Sequence, residues 1–128
     1  MAGITQGSQL FADPRFSNFT IVFAPYCDGG SWTGDAAPVA TAANSTGQGR
    51  PLFYRGRRLL AGLVESVMAA GLKGATNLIW GGCSAGGLTA YLHADMVAAT
   101  VGAGVRVVGL ADAMFSLDHP PFNTVRQY

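Results

Sequence analysis

Apolar and polar residues along this chain follow two periods, and the switches between them mark the elements. The run at 20–24, Thr20-Ile21-Val22-Phe23-Ala24, is β-branched and aromatic; it reads as a buried strand that Pro25 ends. A Gly-rich loop follows at 26–35, then a small, polar stretch at 36–50 that reads as surface loop. Residues 51–56 read as a short strand. From Arg57 to Ala70 the period is helical, with Leu59, Leu60, Leu63, Val64, Val67 and Met68 on one face and Gly71 as the stop. Thr76 to Cys83 reads as the next strand. A second helix runs from Ala85 to about Thr100, with Leu88, Tyr91, Leu92, Met96 and Val97 as its expected core face and Gly102 and Gly104 beyond its end. Residues 105–111 read as a third strand, closed by Asp112.

Strand, loop, helix, strand, helix, strand is the order of an α/β fold: a parallel sheet with helices on its faces. In such sheets ligands bind beyond the carboxyl ends of the strands. The loop at 26–35, Ser84 and Asp112 all fall at those ends. Residues 1–19 read as a lead-in loop, and neither an internal repeat nor a second domain is visible. Residues 1–128 therefore read as one domain.

Composition narrows the function classes. The chain has 128 residues, 49% hydrophobic and 12% charged, with a net charge of +1. It is rich in core-forming residues and carries no basic run, which argues against nucleic acid as a partner. No apolar stretch reaches the ~18 residues of a membrane span. The first residues lack the basic and apolar regions of a signal peptide. Two sequons, Asn18-Phe19-Thr20 and Asn44-Ser45-Thr46, hint at secretion. The two cysteines, Cys27 and Cys83, have neither metal-site nor redox spacing and read as small buried residues near strand ends.

The chemistry concentrates in Ile79-Trp80-Gly81-Gly82-Cys83-Ser84-Ala85-Gly86-Gly87-Leu88, which contains G-x-S-x-G at Gly82, Ser84 and Gly86. With 18 glycines in the chain the bare motif is weak. Its setting, an apolar strand before and an apolar-periodic helix after, is that of a nucleophile elbow. Ser84 would sit on a strained turn, and both flanking positions would be Gly because a Cβ at either would clash. The amide of Ala85 would head the helix, where it can stabilise an oxyanion.

A serine nucleophile needs a base and an acid that orients it. His93 lies nine residues into the helix, roughly 13 Å along its axis from Ser84 at 1.5 Å per residue, too far for a hydrogen bond. It reads as a packed or hydrogen-bonded residue. His119 follows the third strand and is the other histidine. Asp112 ends that strand and reads as either the acid or a structural turn residue. Asp28, Trp32 and Asp35 read as pocket lining or loop scaffold at the same edge, and Arg55, Arg57 and Arg58 as a solvated helix start.

Five segments in order carry a family resemblance. Residues 26–35, Tyr-Cys-Asp-Gly-Gly-Ser-Trp-Thr-Gly-Asp, resemble the Y-C-D-G-[AS]-S-[FW]-x-G-D segment of pectin acetylesterases. Phe53-Tyr54-Arg55-Gly56 resembles their F-R-G element, and Gly82-Cys83-Ser84-Ala85-Gly86-Gly87-Leu88 is very close to their G-C-S-A-G-G-L motif. Leu92-His93-Ala94-Asp95 resembles L-H-C-D, and residues 110–118 resemble [LS]-D-[AS]-G-[FW]-F-L-D. The chain thus resembles the pectin acetylesterase/Notum-like carboxylesterase family.

That resemblance implies an α/β-hydrolase fold and a serine carboxylic ester hydrolase working through an acyl-enzyme on Ser84, without metal or organic cofactor. It also implies an acylated carbohydrate or polysaccharide such as pectin as substrate and a secreted or cell-wall setting. Ala94 stands where plant members usually carry Cys, so the disulfide expected there is absent. The family's catalytic Asp and His lie well after the segment ending at Asp118, and its Gly-Gly-Gly-Trp oxyanion loop precedes the motifs found here. The chain is therefore expected to be the central part of a family member, with the nucleophile but not the full triad. A fatty-acyl (lipid-ester) hydrolase and a non-catalytic α/β domain are the alternative readings.

Overall fold

The structure, a computed structural model, describes residues 13–38, 49 and 51–115. Two strands pair in parallel: β1, Asn77–Cys83, and β2, Arg106–Asp112. Their register runs without a slip from Asn77 opposite Arg106 to Cys83 opposite Asp112. Helix α1, Gly56–Ala69, precedes β1, and helix α2, Ala85–Val101, joins the two strands. Parallel neighbours need such a crossover, because the chain must return to the starting edge before the second strand begins. The result is the α/β class that the hydrophobic pattern predicts, and each of these four elements lies within a residue of its expected bounds.

The core forms where α1, α2 and one face of the sheet meet. Val64, Val97, Val101 and Val105 are buried there, with Met68, Leu72, Leu78, Trp80, Met96 and Val107 packed against them. Leu78 and Val107 are cross-strand partners, so adjacent strands offer side chains to the helices from the same face. On the opposite face Val108 and Leu110 are exposed.

Four expectations change. The run at 20–24 pairs with no strand among the described residues, and Ile21, Val22 and Phe23 are exposed. Its composition carries β-propensity, but a strand exists only with a neighbour to share its hydrogen bonds, and propensity does not supply one. The short strand expected at 51–56 reduces to an isolated bridge at Leu52.

The third change is the buried face of α2. The helix buries Gly87, Thr89, Ala90, Val97 and Val101, while Tyr91 and Leu92 are 71% and 51% exposed. Apolar residues lie on every side of α2, and its few polar ones make no continuous face to mark its outside. Here size decides: small residues let the backbone approach the strands, and Ala94 Cβ lies 3.8 Å from where a Cβ on Gly109 would stand. Cys27 and Cys83, expected to be buried, are both free and exposed.

Candidate active site

The β1–α2 junction turns within one residue. Ser84 has φ 54° and ψ −114° and is the N-cap of α2. A non-glycine residue there costs on the order of 1–3 kcal/mol and persists only where its surroundings hold it. Two hydrogen bonds do so. Ser84 N–H donates to Asp112 O at 2.9 Å, and Leu88 N–H donates to Ser84 O at 3.0 Å, the first bond of the helix. The elbow is thus tied to the end of β2 on one side and continues into α2 on the other. Its hydroxyl stands on an exposed residue at the carboxyl edge of the sheet.

The glycines around the turn divide their work differently from the sequence expectation. A Cβ on Gly82 would stand 2.7 Å from Gly86 Cα, so Gly82 is required by the returning helix backbone. A Cβ on Gly86 would meet nothing within 4 Å. The second crowded position is Gly87, where a Cβ would stand 2.7 Å from Asp112 O and 2.9 Å from Met114 Cβ. What Gly86 contributes is a backbone close to Gly82, and what Gly87 contributes is room for the segment leaving β2.

A cleft of about 390 Å³ opens beside the elbow. Ser84, Ala85 and Leu88 line it from the α2 side, Ala113, Met114 and Phe115 from the segment after β2, and Ser31 from the loop at 26–35. Ala113 also has a positive φ, 48°, so the chain turns sharply as it leaves the sheet. Two segments distant in sequence thus converge on Ser84 at the edge where α/β folds bind ligands.

Ser31 reaches the cleft through a second strained turn. Ser31 and Trp32 have φ 53° and 59°. Ser31 N–H donates to Tyr26 Oη at 3.0 Å, and Trp32 N–H donates to Asp28 Oδ1 at 3.2 Å. From α2, Thr89 Oγ1 lies 2.8 Å from Ser31 O and 2.9 Å from Ala85 O.

The other sequence candidates sit around this framework rather than in the cleft wall. Asp28 and Trp32 are buried against the start of α1, where a Cβ on Gly56 would collide with both. Asp28 Oδ2 is buried and has no hydrogen-bond partner among the described residues. Asp35 pairs with Arg58 near the surface. The exposed Asp112 contributes its backbone oxygen to the elbow. Arg55 is less solvated than expected: its guanidinium carbon lies 5.0 Å from the centroid of the Phe53 ring, and its Nε is buried.

His93 faces the strained loop. Burial lowers the pKa of its ring from the ordinary histidine value; a backbone hydrogen bond with Trp32 opposes this, and the charge of Arg57 adds to the lowering. His119 and Asn44 lie outside the described residues. Among the described residues no three His, Cys, Asp or Glu side chains cluster as metal ligands, and no helix is long and apolar enough to cross a membrane.

Ala113, Met114 and Phe115 as cleft lining and Thr89 as a loop contact are functional positions that the motifs do not mark. For the first three a signal was available: they follow directly on the carboxyl end of a strand. For Thr89 there was none, since its partner lies 58 residues away.

A parallel sheet with a strained serine between strand and helix defines the α/β-hydrolase class of architecture. The pectinacetylesterase family pattern matches residues 1–128, and the chain belongs to that family. It is 37% identical to pectin acetylesterase 11 of Arabidopsis thaliana over 112 residues, which cover 88% of this chain and 27% of that protein. Pectin acetylesterase 7 of the same plant is 38% identical over the same shares. Palmitoleoyl-protein carboxylesterase NOTUM of Homo sapiens is 30% identical over 119 residues, 90% of this chain and 22% of that protein. The chain thus spans about a quarter of the length of the curated relatives it matches. No solved structure gives a significant match.

Proposed function

We propose that this chain carries the nucleophile of a secreted serine carboxylesterase that removes acetyl groups from a polysaccharide such as pectin. The observation that carries the reading is the left-handed Ser84 between β1 and α2, at the mouth of the cleft. Ser84 Oγ attacks the ester carbonyl carbon as a base takes its proton. The carbonyl oxygen becomes an oxyanion, which the Ala85 N–H stabilises at the start of α2. The tetrahedral species expels the alcohol of the sugar, which recovers the proton. Water then attacks the acyl-enzyme in the same way and frees acetate and Ser84. By family resemblance the base is a histidine and its orienting acid an aspartate, both following the segment that ends at Asp118. Asp28, Trp32, Asp35 and Asp112 then act as supports of the cleft rather than as the acid.

The polar Ser31 wall supports a short acyl chain on a carbohydrate. A fatty-acyl ester is the second reading, favoured by the apolar side chains of Leu88, Met114 and Phe115 on the same cleft. Each additional buried methylene would favour the longer chain by ~0.8 kcal/mol. The test is kcat/KM of the intact protein on p-nitrophenyl esters from acetate to octanoate, together with acetate release from acetylated pectin. The reading expects the highest rate on acetate and release from the polymer. Ser84→Ala should abolish both, along with labelling by a fluorophosphonate, while the fold survives. Rates that climb with chain length and no release from the polymer would move the assignment to a lipid ester. Undiminished labelling of Ser84→Ala would remove Ser84 as nucleophile.

A further inference from the structure

The Ser31–Trp32 turn needs a reason to stay strained, and it has three hydrogen-bonded anchors. Tyr26 Oη and Asp28 Oδ1 take its two amide protons from within the loop. The third anchor comes from across the site. Thr89 is 5% exposed, and its hydroxyl lies within hydrogen-bond distance of both Ser31 O and Ala85 O. A threonine inside a helix ordinarily returns its proton to the carbonyl four residues back. Here that carbonyl belongs to Ala85, the residue after the nucleophile, and the same proton is shared with the loop. One buried hydroxyl therefore joins the first turn of α2 to the opposite wall of the cleft.

We propose that Thr89 is a positioning residue for carbohydrate recognition. Its hydroxyl fixes the distance between Ser31 and the Ser84–Ala85 corner, and Ser31 is the wall that meets the sugar side of the ester. This rests on the esterase reading of Ser84. The hydrogen bonds of the Thr89 hydroxyl go to Ser31 O and Ala85 O, not to the Ser84 hydroxyl. Loss of its hydroxyl therefore leaves the intrinsic reactivity of Ser84 in place and moves the wall. A small ester that does not reach Ser31 is insensitive to that shift, and a polymeric substrate that leans on it is not.

The experiment compares the intact protein with its Thr89→Val and Thr89→Ser variants on acetylated pectin and on p-nitrophenyl acetate. Thr89→Val keeps the shape and removes one hydrogen bond, so kcat/KM on acetylated pectin should fall about tenfold. The fall should come through KM, with p-nitrophenyl acetate turnover and the rate of fluorophosphonate labelling within about twofold of the parent. Thr89→Ser, which restores the hydroxyl, should recover most of the pectin activity. Unchanged pectin kinetics in Thr89→Val would overturn the proposal, and so would an equal loss on both substrates that Thr89→Ser does not recover, the mark of a merely structural residue. Both outcomes leave the esterase reading standing. A parent protein with no Ser84-dependent hydrolysis of either ester overturns that reading, and this proposal with it.

Discussion

The turns at Ser84 and at Ser31–Trp32 both hold non-glycine residues in left-handed backbone, and they do it by different means. At the elbow, Ser84 is held by backbone alone: the carbonyl of Asp112, the first helical bond from Leu88, and a helix that passes against Gly82. At the loop, Ser31 and Trp32 are held by side chains, from Tyr26, Asp28 and Thr89. The first device depends on what is missing, Cβ atoms at Gly82 and Gly87. The second depends on what is present, and each polar group in it can be deleted singly. An all-backbone device fails completely when its space is filled, whereas a side-chain device should loosen by steps.

The largest effect expected from that contrast is at Gly82. A methyl there meets helix backbone that cannot swing aside, so Gly82→Ala should destabilise by about 3 kcal/mol or prevent folding. Gly86→Ala is the matching control, since its Cβ enters open space. It should leave stability within about 1 kcal/mol of the parent, because Ala also suits a helix better than Gly. Denaturant midpoints of the two variants decide the matter, and equal losses would show that the crowding at Gly82 is not what shapes the elbow.

At the loop, Tyr26→Phe removes the acceptor of the Ser31 amide. A partner that is half exposed contributes about 0.5–1 kcal/mol, so the global loss should be small. Local loosening should still show as faster hydrogen exchange at the Ser31 amide, with exchange in β1 unchanged. If β1 exchanges faster too, the loop is part of the core rather than an appendage to it.

The smallest effect is electrostatic. Burial and Arg57 hold the His93 pKa below the ~6.5 of an unfolded histidine. Between the two values the unfolded chain binds more protons than the folded one, so stability rises with pH in that window. Acidification from pH 7 through this range should therefore cost stability, with the loss complete below the folded value. His93→Gln should flatten this part of the profile, and an unchanged slope would place the proton uptake elsewhere.

Legibility followed the same division. G-x-S-x-G between an apolar strand and an apolar-rich helix announces an elbow because the strand end, the approach of Gly86 to Gly82 and the helix start all lie within a few residues of Ser84. Gly71 and Gly102 mark the two helix ends for a similarly local reason. The motif points to Gly86 as the second crowded glycine, whereas that position is Gly87, since what crowds it is Asp112 and Met114 from another strand end. The run at 20–24 has the composition of a strand, but its composition names no partner strand.

Element order, the parallel α/β class, the elbow and the family are legible in the chain alone, because local periodicity and short-range sterics write those directly into neighbouring residues. Which face of α2 turns inward is decided only in three dimensions, since a helix without a continuous polar face is sorted by close packing against the strands. The tertiary structure alone joined Ser31 to Ser84 across a cleft, because a hydrogen bond between Thr89 and a carbonyl 58 residues away leaves no periodic trace in the chain.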